Sequence, residues 1–221
     1  MTTKRSLTAV KIVIYCIIFF AVWTVQELIV RPMFLDTLNS PIAEFLGQAI
    51  KLLVWTLPAI ILIKHFQDDM QINLKEMFAT KPNWLKAVPF FAILAIPLIQ
   101  ALILGGGLLV NPEFVPTHLI EAVIFAGITE EIVFRGFLLN TFLKRMKMWQ
   151  AIVTDAILFV LIHYPIWIYR GFGIGDFLIP SLTVAALSAI FALSFIKTKN
   201  IFIPMVIHML WNLLVITLYF G

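Results

Sequence analysis

Glu130, Glu131 and Arg135 sit together in one apolar stretch of this chain, His163 in a second, and His208 with Asn212 in a third. Carboxylates and imidazoles exchange protons with water, and imidazole or amide N–H groups can steady a developing oxyanion. Glu131 and Arg135 are one helical turn apart, so they can pair across i, i+4. Glu130 lies about 100° around the same helix. Arg135 can therefore neutralise one carboxylate and leave the other free to exchange a proton. His208 and Asn212 share the i, i+4 spacing and point from one helix face, where both can serve the same bound atom. Phe159 shares a face with His163 one turn away. Together these groups offer acid–base chemistry on a polar bond.

The elements that must position them are membrane helices. Hydrophobic residues make up 62% of the 221 positions and charged residues 13%, about half of the roughly 25% usual in soluble domains. About 20 apolar residues cross a bilayer, and seven stretches meet or approach that length: about 10–30, 42–63, 87–110, 117–142, 150–169, 177–196 and 201–220. The fold class expected is all-α, a polytopic transmembrane bundle. An acid or Arg at a helix centre costs roughly 2.5 to 3.5 kcal/mol on insertion scales, so such residues are usually kept for function. Cys16 is the single cysteine, which excludes an internal disulfide and leaves it as apolar filler.

Net charge is +4, but its distribution points to membrane topology, not to nucleic acid. Lys4, Arg5, Lys11, Lys64, Lys75, Lys81, Lys86, Lys144, Arg145, Lys147, Lys197 and Lys199 fall on one side of a seven-span arrangement, and Arg31, Lys51 and Arg170 on the other. Cytoplasmic loops carry the Lys and Arg excess, so the N-terminus is expected inside and the C-terminus outside. The first stretch is too long for a signal-peptide core and is read as a retained helix.

Breakers refine the picture. Asn73 to Phe78 is expected as a short surface helix, Asn200 as a cap for the last helix with Pro204 in its first turn, and Pro165 as the cause of an opening beside His163. Glu27, Glu121 and Asp155 are expected to reach the interfaces and His65 and His118 to be solvated. The Gly105-Gly106-Gly107 run is read as ending the third span. At 1.5 Å rise per residue, Glu130 and Glu131 lie about 18 to 20 Å deep, His163 about 20 Å, Asn212 about 18 Å and His208 about 12 Å. One shared site is more economical than three unrelated polar defects. Taken singly, each group also fits a blander role: a helix-locking ion pair, a hydrogen-bonded core histidine, or interhelical glue.

These residues resemble the CPBP family, the CAAX proteases and bacteriocin-processing or self-immunity (Abi) proteins. Its pattern of Glu-Glu-x-x-x-Arg, Phe-x-x-x-His and His-x-x-x-Asn reads here as Glu130, Glu131 and Arg135, then Phe159 and His163, then His208 and Asn212. The similarity covers about 117–215. It implies a variable N-terminal membrane region of about three helices over 1–112 and a catalytic core of about four helices over 113–221. It further implies an intramembrane endopeptidase of the bacterial cell membrane, acting beside lipid on a hydrophobic or lipidated peptide. By the same resemblance Glu130 is the general base and His163 polarises the water. His208 and Asn212 stabilise the oxyanion, while Arg135 positions Glu131. A metal-dependent version would place zinc on His163, His208 and Glu130 or Glu131, so glutamic and metal types both stay open. A non-proteolytic immunity or scaffold member and a proton-coupled transporter are the alternatives.

Overall fold

A computed structural model describes residues 2–38, 40–104 and 110–218, without the side chains of 2–8, 40, 41 and 44. Gly105-Gly106-Gly107 lies outside the described residues. Helices account for 84% of the structure, and among the described residues the only strand-like pairing is the Val110–Leu218 bridge. The elements are α1 (2–33), α2 (40–65), α3 (Leu74–Ala79), α4 (84–103), α5 (119–143), α6 (Met148–Tyr169), α7 (Leu178–Thr198) and α8 (Phe202–Thr217).

Five helical stretches are long and apolar enough to cross a bilayer: Ala9–Thr37, Phe45–His65, Trp84–Ile103, Met148–Tyr169 and Ile174–Thr198. The 16-residue α8 is apolar but shorter. Helix α5 is long enough, yet it carries Glu121, Glu130, Glu131 and Arg135. Large aliphatic side chains face outward all around the bundle, among them Ile17, Leu53, Leu85, Ile103 and Leu182. In water such a surface would be an aggregation liability; in lipid it is the matching solvent. The protein is an integral, multi-pass membrane protein.

Helix α5 is the hub. Every residue from Ile132 to Leu139 is buried, and a helix buried on all sides belongs at the centre of a bundle. Phe134 and Phe137 fill the space towards α1 and α6. Phe134 lies 6.2 Å from the Phe19 ring and 4.9 Å from that of Phe159, and Phe137 lies 5.1 Å from Tyr15. On either side of Ala126–Glu131 the α5 backbone widens to i→i+5 hydrogen bonding, a winding often found where a helix carries functional groups.

One end of the bundle is closed by the polar segment between α2 and α4. Asn73 caps α3 by accepting the Glu76 N–H at 2.8 Å, as its position suggested. The segment is stitched to its neighbours by backbone and amide bonds. Asn140 donates to the Ile72 carbonyl at 2.7 Å and accepts from its N–H at 2.8 Å. The Ile201 N–H reaches the Met77 carbonyl at 3.1 Å, and Asn200 Nδ2 reaches that of Thr80 at 2.6 Å. Asn200 also accepts the Phe202 N–H at 2.8 Å, capping α8 from one position further out than expected.

Candidate functional site

Pro165 does to α6 what its ring dictates. The helix runs to Leu161, opens at Ile162 and His163, and resumes at Tyr164. Trp23 Nε1 from α1 donates to the Ile162 carbonyl at 2.7 Å, so that the opening is sealed on the α1 side. His163 Nδ1 donates to the Phe159 carbonyl at 2.7 Å. A carbonyl can only accept, so Nδ1 carries the hydrogen and Nε2 is the ring nitrogen left for other work.

The α5 and α8 contributions meet because Gly127 lets the helices touch. A Cβ there would stand 2.5 Å from Met209 Cγ and 3.4 Å from the Met205 carbonyl oxygen. That contact sets His208 against the carboxylates: Nδ1 lies 2.8 Å from Glu131 Oε1, and Nε2 lies 4.0 Å from Glu130 Oε2. Phe191 stacks on the His208 ring at 4.8 Å.

Arg135 is fully buried and tightly held. It donates to Glu131 Oε1 at 3.1 Å and, from one nitrogen, to the Ser188 carbonyl and hydroxyl at 3.0 and 2.8 Å. Its plane lies over Phe159 at 4.5 Å and Phe191 at 5.3 Å. Asp155 Oδ2 stands 3.7 Å from Arg135 Nε. Asp155 is therefore not the interfacial carboxylate expected from its place near a helix start. It is fully buried as a second carboxyl group beside one guanidinium, where an unpartnered charge would be far more costly. The role of Phe159 is equally concrete, since its ring is the surface on which Arg135 lies and against which His163 packs edge-on at 5.1 Å.

Glu130, His163 and Asn212 line one cavity of about 730 Å³. His208 stands behind Glu130 and is not part of that lining. Asn212 Nδ2 donates to the Ala122 carbonyl at 2.7 Å, which leaves its second N–H hydrogen unassigned. The layer drawn from depth alone thus needs one adjustment: His208, counted as one turn too shallow, is the α8 group that meets the carboxylates.

Lys51 is the cavity residue that sequence reasoning assigned to a loop face. Its Nζ lies 3.7 Å from Glu130 Oε1 and over the rings of Trp23 and Trp55 at 5.0 and 5.1 Å. Lys51 is the single charged residue of α2 between Glu44 and Lys64, and that is the signal that could have found it. Glu27, Glu121 and His118, expected at the interface or in solvent, also line the cavity. Glu27 is fully buried and takes Arg31 Nε at 2.9 Å.

Zinc requires nitrogen and oxygen ligands about 2.0 to 2.2 Å from one point. Among the described residues no three His, Cys, Asp or Glu side chains converge to hold a metal ion. The residues as arranged do not fit the metal.

Residues 112–214 match the profile of the Rce1-like proteins, type II CAAX prenyl endopeptidases. Over that region, a little under half of its length, the chain is similar to this family. No curated protein and no solved structure matches. The matched segment begins just before α5 and ends within α8, so it contains all seven motif residues and excludes α1 to α4. By that description the family's members are endopeptidases.

Proposed function

We propose that the chain is an intramembrane endopeptidase of the glutamic type, hydrolysing a peptide bond near a membrane-embedded or lipidated substrate terminus. The observation that carries this reading is that Glu130 from α5 and His163 from α6 line one cavity, His163 with Nε2 uncommitted. A water held by Nε2 gives its proton to Glu130 as its oxygen attacks the scissile carbonyl carbon. The tetrahedral oxyanion is met by the second Asn212 hydrogen and by the Lys51 ammonium, both on the cavity wall. Collapse breaks the C–N bond, and Glu130 returns the proton to the leaving amine. His208, hydrogen-bonded to Glu131 and outside the lining, acts as a positioning residue. Glu131, Arg135, Asp155 and Ser188 form the frame that fixes it.

The test is cleavage of a prenylated or hydrophobic C-terminal peptide by purified protein. Wild type cleaves, and Glu130→Gln falls by about 10² to 10⁴, the usual worth of a positioned general base, while its thermal midpoint is unchanged. Equal rates for the two proteins would overturn the reading, and so would the absence of cleavage in wild type.

A further inference from the structure

Two features obtained independently coincide at one end of the bundle. The cavity is lined by the last turns of α1 (Glu27, Arg31), the first half of α2 (Gly47, Lys51), the start of α5 (Glu121, Ala122), the end of α6 (Trp167, Arg170) and the end of α8. Its exposed lining residues, Asp36, Leu38 and Arg170, all belong to this end, whereas its floor, Trp55 and Glu130, is buried. The loops and helix ends at the opposite pole hold Lys64, Lys75, Lys81, Lys86, Lys144, Arg145, Lys147, Lys197 and Lys199. That pole is also the one sealed by α3, where Met77 is fully buried and Lys199 reaches Glu76 at 2.9 Å.

We infer that the site is served from the extracytoplasmic face, on a polypeptide that has already crossed the membrane. Lys and Arg accumulate in cytoplasmic loops, which places the sealed pole in the cytoplasm and the cavity mouth outside. The three basic residues that stand against the bias, Arg31, Lys51 and Arg170, are all cavity-lining. Arg31 and Lys51 are largely buried in the cavity wall, which leaves Arg170, exposed at the rim, as the one of the three on a mouth-side loop. A lipidated protein at the cytoplasmic leaflet would offer its C-terminus to the closed pole. The substrate class that fits is a translocated peptide held at the outer leaflet by an apolar or lipid anchor, its scissile bond reaching down to Glu130. The chemistry performed there rests on the hydrolase reading; the direction of access does not.

Single cysteines in a Cys16→Ala background decide the direction. Ile174→Cys, at a residue 92% exposed at the cavity end, is expected to react with a membrane-impermeant sulfonated maleimide in intact cells. Lys144→Cys at the sealed end should react only after permeabilisation. The reverse pattern, or equal labelling of both in intact cells, overturns the inference whatever the activity. A second arm adds a water-soluble peptide with an apolar anchor to right-side-out and to inverted vesicles. Cleavage in the former alone supports the inference and cleavage in the latter alone refutes it. If neither preparation cleaves even in detergent, the hydrolase reading fails and the labelling still decides the direction of access.

Discussion

His208 is hydrogen-bonded to Glu131, Nδ1 to Oε1 at 2.8 Å, and not to the neighbouring Glu130. The adjacent acids are thereby given separate duties by a residue 77 positions away. Glu131 faces His208 and Arg135 and is fully buried; Glu130 faces Lys51 and the cavity. The two should respond differently to the same change. Glu131→Ala leaves Arg135 and His208 without their shared acceptor, and breaking a buried pair costs about 3 to 5 kcal/mol. The expected outcome is a lowered thermal midpoint in detergent together with lost activity, whereas Glu130→Ala loses activity at an unchanged midpoint.

Arg135→Lys is a sharper probe of the frame. The guanidinium serves Glu131 and Ser188 from two separate nitrogens and stands over the rings of Phe159 and Phe191. An ammonium cannot reproduce a planar fork and a stacked face together. A loss of stability close to that of Arg135→Met is expected by thermal denaturation, despite the retained charge. Wild-type stability in the lysine variant would show that charge alone is required.

Much of this arrangement was readable in the sequence, for a definite reason. Charged and amide groups in apolar helices are costly enough that their positions stand out, and i, i+4 spacing fixed the Glu131–Arg135 pair before any coordinates. The Pro165 opening and the Asn73 cap were likewise local, set by a ring without an N–H and by a short amide side chain. What escaped were relations between helices distant in the chain. Asp155 sits near a helix start, and only the packing of α6 on α5 and α7 buries it beside Arg135. Lys51 lies in the region outside the matched segment, so no motif drew attention to it. The depth argument misjudged His208 because helix ends, from which depth is counted, are less certain than one turn.

Chelation tests the reading of the donor set. No three potential ligands among the described residues converge. Exhaustive treatment with a strong chelator should leave the cleavage rate unchanged, with less than stoichiometric metal in the active preparation. Loss of activity restored by added zinc would reverse that expectation and return His163, His208 and Glu130 to the role of ligands.

Gly127→Ala examines the contact that joins α5 to α8. The added methyl would meet Met209 Cγ and the backbone oxygen of Met205. The carbonyl stands at ordinary van der Waals distance; Met209 Cγ, next to that residue's own Cβ, must be displaced by a rotamer change or by movement of α8. Overpacking of this kind costs about 1 to 3 kcal/mol, and a separation of a few tenths of an ångström falls on the His208–Glu131 hydrogen bond. A moderate drop in thermal midpoint with a larger drop in kcat is expected. Gly127→Ala combined with Met209→Ala should recover part of both, because the second change removes Cγ, the atom that the new methyl would meet.

Lys51 carries the last prediction, since it brings a residue from outside the matched segment to the reacting groups. Its ammonium is 3.7 Å from Glu130 Oε1 and framed by Trp23 and Trp55, and in the proposed mechanism it aims the carboxylate into the cavity and meets the developing oxyanion. Lys51→Met preserves the stem that packs between the indoles and deletes the charge. Kcat is expected to fall by about tenfold or more, the scale of a lost electrostatic partner, while KM stays within about twofold and the thermal midpoint is little changed. Lys51→Arg should restore much of kcat. A KM effect without a kcat effect would instead make Lys51 a substrate-binding group, and no effect on either would remove it from the site.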